Sequence, residues 1–126
     1  MAFTCPKCLK SGSLAIEIAI EMPPDGRSDE ITLQALVCSS CDFRGLAVYQ
    51  ESRRGALDSV AWEHIGYRVG PLVVESVAGA IRSCPEPRNS RCSCAAHRRF
   101  ATQDRNSIWQ LPAEMAGSEV FPMHLA

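Results

Sequence analysis

Aromatic side chains are scarce in this chain. Two Trp, two Tyr and four Phe make up 6% of its 126 residues, so large rings cannot dominate the core. Charged residues, at 21%, are slightly sparse for a globular protein. No apolar run approaches the roughly 18–20 residues of a membrane-spanning helix; the longest apolar-leaning stretches, Leu14 to Met22 and Val69 to Ile81, both carry acids. No basic segment followed by an apolar one opens the sequence, so no secretory signal is read. Missing too are a glycine-rich phosphate loop, an H-E-x-x-H helix and an obvious Ser/His/Asp set. Asp58 and Glu63 are five residues apart, share no helix face, and read as a solvated surface rather than an acid/base pair. No small-molecule substrate is identified from these residues, and no membrane partner is expected.

Cysteine, in contrast, is abundant. Seven in a chain of this length is an outlying number, and an odd one, which argues against a complete disulfide framework in a monomer. Paired cysteines in a reducing compartment are more often metal ligands than disulfides, so a cytoplasmic location is expected. The chain is long enough for one domain, or for a small domain with an appended lobe. Cores that small are commonly reinforced by metal.

Two knuckles carry the strongest signal: Cys5-Pro6-Lys7-Cys8 and Cys38-Ser39-Ser40-Cys41. The C-x2-C spacing turns both sulfurs of a tight bend towards one ion, and two such bends complete a tetrahedral four-thiolate site. Pro6 stiffens the first bend, and Gly12 and Gly45 suit a sharp exit from each. A pair of disulfides or a rubredoxin-like iron site are the alternatives to zinc. Over roughly residues 3–50 the chain resembles the zinc-ribbon family, in which two knuckles are joined by a β-hairpin. The resemblance implies a structural metal and says little of function, since ribbons serve transcription, translation, enzymes and assembly factors. The spacer from Leu9 to Val37, 29 residues, is long for this pattern. Loop-closure entropy grows only logarithmically, so the extension costs about 0.5 kcal/mol, against roughly 10–16 kcal/mol for zinc in small sites. A longer hairpin is expected, with the site intact.

Periodicity supplies the rest of the outline. Ile16, Ile18 and Ile20 alternate as on one face of a strand over 14–21, with Glu17 and Glu21 opposite. Ile31 to Val37 and Phe43 to Tyr49 read as the next strands. Leu57, Val60, Ala61, His64 and Ile65 fit one face of a helix ended by Gly66 and Gly70. Pro71 then opens a second helix to Arg82, with Val73, Val74, Val77, Ala78 and Ile81 at helical spacing. The expected fold class is α+β: a small antiparallel zinc ribbon over 1–52, a helical lobe over 53–100, and a partly ordered tail over 101–126 from which Trp109 and Leu111 dock back on the body.

Cys84, Cys92, Cys94 and His97 place four further zinc-competent donors within 14 residues of loop. Two zinc ions are therefore expected, one on four cysteines and one on three cysteines and a histidine, with no thiol left over. His64 is an alternative fourth ligand, read more simply as the edge of a helix face; His124 reads as a solvated tail residue. A cysteine nucleophile with His97 as base is the catalytic rival.

Six arginines (Arg82, Arg88, Arg91, Arg98, Arg99, Arg105) surround this loop against Glu86 and Asp104. They form a phosphate-binding patch or compensate thiolates, as Lys7, Lys10 and Arg44 would at the first site. Two Zn²⁺ and seven thiolates would shift the formal net charge from −1 to −4, which does not favour general nucleic-acid affinity. The leading expectation is a non-catalytic zinc module that engages another macromolecule, a protein first. A nucleic-acid-binding ribbon using residues 82–105, and a metal-dependent enzyme or redox-responsive zinc switch, are the alternatives.

Overall fold

The computed structural model describes residues 2–53 and 61–125. Its framework is an antiparallel meander of β1 (Ala2–Phe3), β2 (Leu14–Met22), β3 (Glu30–Cys38), β4 (Arg44–Ser52), β5 (Ala61–Arg68) and β6 (Glu119–Pro122), hydrogen-bonded in chain order. Two helices, α1 (Pro71–Ser83) and α2 (Ala95–Phe100), complete an α+β architecture. The long spacer is spent on β2, β3 and the loop between them, which pair from Leu14↔Cys38 to Met22↔Ile31. The sheet curls strongly. Beyond β6, Leu125 bridges to Phe3 and the His124 carbonyl accepts from the Thr4 amide, so the last strand's continuation meets the first.

Alternation along the strands separates two apolar clusters. On the convex face Ile20, Met22, Ile31, Leu33, Leu46 and Val48 pack under the helices. Along α1, Val74, Val77, Ala78 and Ile81 are buried at the i, i+3, i+4, i+7 spacing that the sequence predicts. Pro71 occupies the first turn, where its missing N–H costs nothing. On the concave face Phe3, Leu14, Leu36, Ala47, Phe121 and Met123 fill one end of the curl. Ile16, Ile18 and Ile20 do not share a face as the sequence suggests. A bulge between Ile16 and Ile18 shifts the pleat by one residue, sending Ile16 to the concave cluster and the other two to the convex one.

The helix expected around Leu57 to Ile65 is corrected. Leu57, Asp58 and Val60 lie outside the described residues, and Ala61 onward is strand, paired with β4 from Leu46↔Tyr67 to Ser52↔Ala61. His64 and Ile65, adjacent on one face of a helix, point to opposite faces of a strand, and pairing with the two neighbouring strands decides for the strand. Gly66 breaks no helix. It sits in mid-strand opposite Phe121, where an added Cβ would fall 2.3 Å from the Phe121 ring.

The tail is tied in by polar contacts. Trp109, 4% exposed, donates its indole N–H to the Phe100 carbonyl at 2.7 Å. Its backbone N–H goes to a carboxylate oxygen of Asp25, also at 2.7 Å. Among the described residues no helix is long and apolar enough to cross a membrane.

Candidate metal centres

β1 ends two residues before Cys5, and β3 ends on Cys38, so one strand exit delivers each knuckle. The ladder Phe3↔Leu14 and Leu14↔Cys38 holds the two exits side by side. Leu9 and Gly12 turn the chain back into β2 with positive φ, 64° and 76°. Gly45 has a different place from the bend expected for it, inside β4 opposite Leu36. The four sulfurs of Cys5, Cys8, Cys38 and Cys41 all lie within 4.8 Å of one another. Cys5 and Cys41 are separated by 3.7 Å, and Cys8 and Cys38 by 3.8 Å. Four thiolates at the tetrahedral zinc distance would have sulfurs about 3.8 Å apart, which these two separations match.

Backbone amides point at these sulfurs. The N–H of Lys7 donates to Cys5 Sγ (3.4 Å), that of Ser40 to Cys38 Sγ (3.3 Å), and that of Phe43 to Cys41 Sγ (3.4 Å). Each N–H favours the charged sulfur. Burial opposes ionisation of Cys38, yet the Ser13 hydroxyl at 3.3 Å and the amides of Ser40 and Cys41 bring it down to about 6. The Phe43 amide lowers Cys41, but burial and the three other sulfurs outweigh it and push that thiol up to about 12. Without a metal the cluster thus shares its protons unevenly. Nearby cations are engaged elsewhere: Lys7 pairs with Asp42, and Arg44 with Glu17 and Glu75. Arg68 supports the first knuckle differently, donating to the Pro6 carbonyl at 2.8 Å.

The second cluster lies on the convex side, where α1 ends and α2 begins. Cys84 is the C-cap of α1 and Cys94 the N-cap of α2. Cys84, Cys92, Cys94 and His97 again place their donor atoms within 4.8 Å of one another. His97 Nδ1 is 3.4 Å from Cys84 Sγ and 3.3 Å from Cys94 Sγ, and Cys84 and Cys92 are 3.9 Å apart. The other ring nitrogen, Nε2, is 2.9 Å from the Glu21 carbonyl. A carbonyl only accepts, so Nε2 carries the proton and Nδ1 turns its lone pair to the sulfurs. Metal-binding histidines are commonly oriented this way. The His97 backbone amide and ring hold Cys94 down at about 6, while burial and the neighbouring sulfurs push Cys84 up to about 11.

Both sequence-predicted ligand sets are therefore brought together, and each is geometrically able to hold zinc. His64 is far from either in role: it belongs to β5, with Nε2 2.7 Å from Gln34 Oε1, and burial lowers its pKa. His124 is exposed, and its carbonyl accepts from the Thr4 amide just beyond β1. Of the arginines around the second cluster, Arg82 pairs with Glu17 at 2.6 Å and Arg99 with Glu114 at 3.3 Å, while Arg98 donates to the Ser93 carbonyl. Ser13 and the Glu21 carbonyl are the supporting groups that sequence reasoning missed. Ser13 left only its position before β2 as a signal; a backbone carbonyl leaves none. No family model matches the chain, and neither the curated proteins nor the solved structures contain a match to it.

Proposed function

We propose that this chain is a two-zinc structural module of zinc-ribbon character, non-catalytic, whose metal-braced surfaces engage a protein partner. The observation that carries the reading is His97. With its ring nitrogen among three sulfurs and its other nitrogen committed to Glu21, the second cluster is a closed four-donor set like the first. Catalytic zinc keeps one position for water or substrate, and structural zinc does not. A closed site also disfavours the nucleophilic reading of Cys92 and Cys94, because a thiolate sharing a metal is a poor free nucleophile. Ion pairing of Arg82 and Arg99 within the chain favours a protein partner over nucleic acid.

Elemental analysis of wild type beside Cys92→Ser tests the metal reading. Two zinc per chain falling to one is expected; one zinc in both proteins removes the second site. A pull-down with the tagged, zinc-loaded chain tests the partner, and recovery of the chain alone under mild conditions counts against an interaction role.

A further inference from the structure

The concave side of the sheet is filled at the end near the first cluster and open at the other. Successive rows across the strands describe the change. Ala19, Gln34, Ala47, Gly66 and Phe121 lie in register across one row, and the Phe121 ring covers the space that Gly66 leaves. The next row is Glu21, Thr32, Tyr49 and His64, and the outermost is Glu30, Glu51 and Trp62. Residues directly opposite share a face of the sheet. Between the last two rows lies a cavity of about 450 Å³, closed on the far side by Phe3, Met123 and Leu125. That volume is in the range of small-molecule sites.

Three features of the cavity are not explained by folding. At its floor Gln34, 6% exposed, is bonded through Oε1 to His64 Nε2 at 2.7 Å, and its amide nitrogen has no partner among the described residues. Among the described residues no fully enclosed side-chain polar atom lacks a partner, so this amide is reached from the cavity that Gln34 lines. With Nε2 donating to Gln34, His64 also presents Nδ1 as an acceptor. Donor and acceptor thus sit side by side in a hollow that Phe3, Ile16, Met123 and Leu125 also line, where an unmet hydrogen bond is costly. On the wall, Tyr49 and Trp62 are nearly parallel, 6.5 Å apart and inclined by 23°. Trp62 is nevertheless 64% exposed, an unusual cost for the larger of the chain's scarce aromatics. At the mouth Glu30 lines the cavity, with Glu51 opposite it across the sheet and Arg53 4.0 Å from Glu30 and 2.7 Å from Glu51. Burial, and then the charges of Glu51 and Glu21, raise the Glu30 carboxyl above its ordinary range.

We propose that this cavity binds a small, flat, positively charged heteroaromatic molecule. The ring lies against Tyr49 and Trp62, its hydrogen-bonding edge meets Gln34 and His64, and its cationic group stays at the mouth beside Glu30. Apolar walls with paired donor and acceptor select a heteroaromatic body over an aliphatic one. The carboxylates repel phosphates and carboxylates and attract a cation, which the faces of Trp62 and Tyr49 also favour. The site is separate from both metal clusters, so it adds a ligand-binding activity to the structural role proposed above.

Tryptamine and indole-3-acetate share a flat ring with an N–H donor and carry opposite charge, which makes them a discriminating pair. Calorimetric titration of the zinc-loaded full chain is expected to show saturable one-to-one binding of tryptamine and none of indole-3-acetate. Glu30→Gln and Trp62→Ala are each expected to weaken tryptamine binding about threefold to tenfold. Both positions are at the rim, and unchanged zinc content and melting temperature show that the variants fold. Absence of saturable tryptamine binding at roughly millimolar concentration, equal binding of indole-3-acetate, or an unchanged affinity in both variants each overturns the proposal.

Discussion

At the scale of the residue, His97 shows how a side chain can be oriented for a metal within a donor cluster. The Glu21 carbonyl fixes its tautomer, and the α2 backbone fixes its distance from Cys94. Protons remain the competitor. Cys41, pushed up to about 12, and Cys84, pushed up to about 11, hold protons at neutral pH that zinc must displace. Zinc affinity therefore rises with pH and falls as the solution is acidified. Titrations in buffers of different ionisation enthalpy are expected to show net proton release at both sites, and apparent affinities at pH 6 below those at pH 8.

A second residue-scale prediction concerns Asp25, whose carboxylate accepts from the amides of Arg27 (2.8 Å), Ser28 (2.5 Å) and Trp109 (2.7 Å). Burial acts to raise this carboxyl, but the Trp109, Ser28 and Arg27 amides outweigh it and lower the pKa below 3.8. A depressed carboxyl stabilises the fold above its unfolded value, and the contribution disappears as pH falls through the folded one. Asp25→Ala is expected to cost about 1–3 kcal/mol near neutrality. Paired urea melts should find the gap from wild type narrowing only below pH 3.8.

At the scale of the element, β5 and β6 meet through a glycine and a ring. Gly66→Ala places a methyl where the Phe121 ring lies, 2.3 Å from its carbons, and that ring is itself wedged edge-to-face against Phe43. Overpacking of this kind costs about 1–3 kcal/mol. Combining it with Phe121→Leu is expected to cost less than the sum of the two single changes, measured by chemical denaturation. The same segment shows why a helix was expected there. The local spacing of Ala61, His64 and Ile65 suits a helix, and β-pairing with residues 44–52 on one side and 119–122 on the other overrides it. Strand propensity is largely such context. By contrast α1 was legible throughout, because Val74, Val77, Ala78 and Ile81 carry a helical stripe within one contiguous stretch.

At the scale of the whole molecule, the two clusters brace opposite sides of one sheet. The first joins the end of β1 to the turn between β3 and β4, beside the concave core. The second ties α1 and α2 to β2 on the convex side. Zinc in small sites is worth roughly 10–16 kcal/mol, as much as the whole stability of an ordinary domain, about 5–15 kcal/mol. Chelation is therefore expected to abolish the cooperative thermal transition, with near-ultraviolet circular dichroism lost and then recovered when zinc is restored. Retention of a sharp transition in metal-free protein would assign the stability to the apolar core instead.

The sequence by itself determined the two candidate donor clusters, the three strands around the knuckles and the α1 helix. Each rests on spacing within a short stretch: two residues between cysteines, a period of two or of 3.6 between apolar positions. Tertiary structure alone decided what depends on distant partners. It turned residues 61–68 into a strand, brought the last strand's continuation back to Phe3, and aimed the Glu21 carbonyl at His97 across 76 positions of chain. It also left Gln34, His64, Tyr49 and Trp62 facing one open hollow. No local pattern encodes such placements, because the free energy that selects them comes from pairing and burial between segments far apart in sequence.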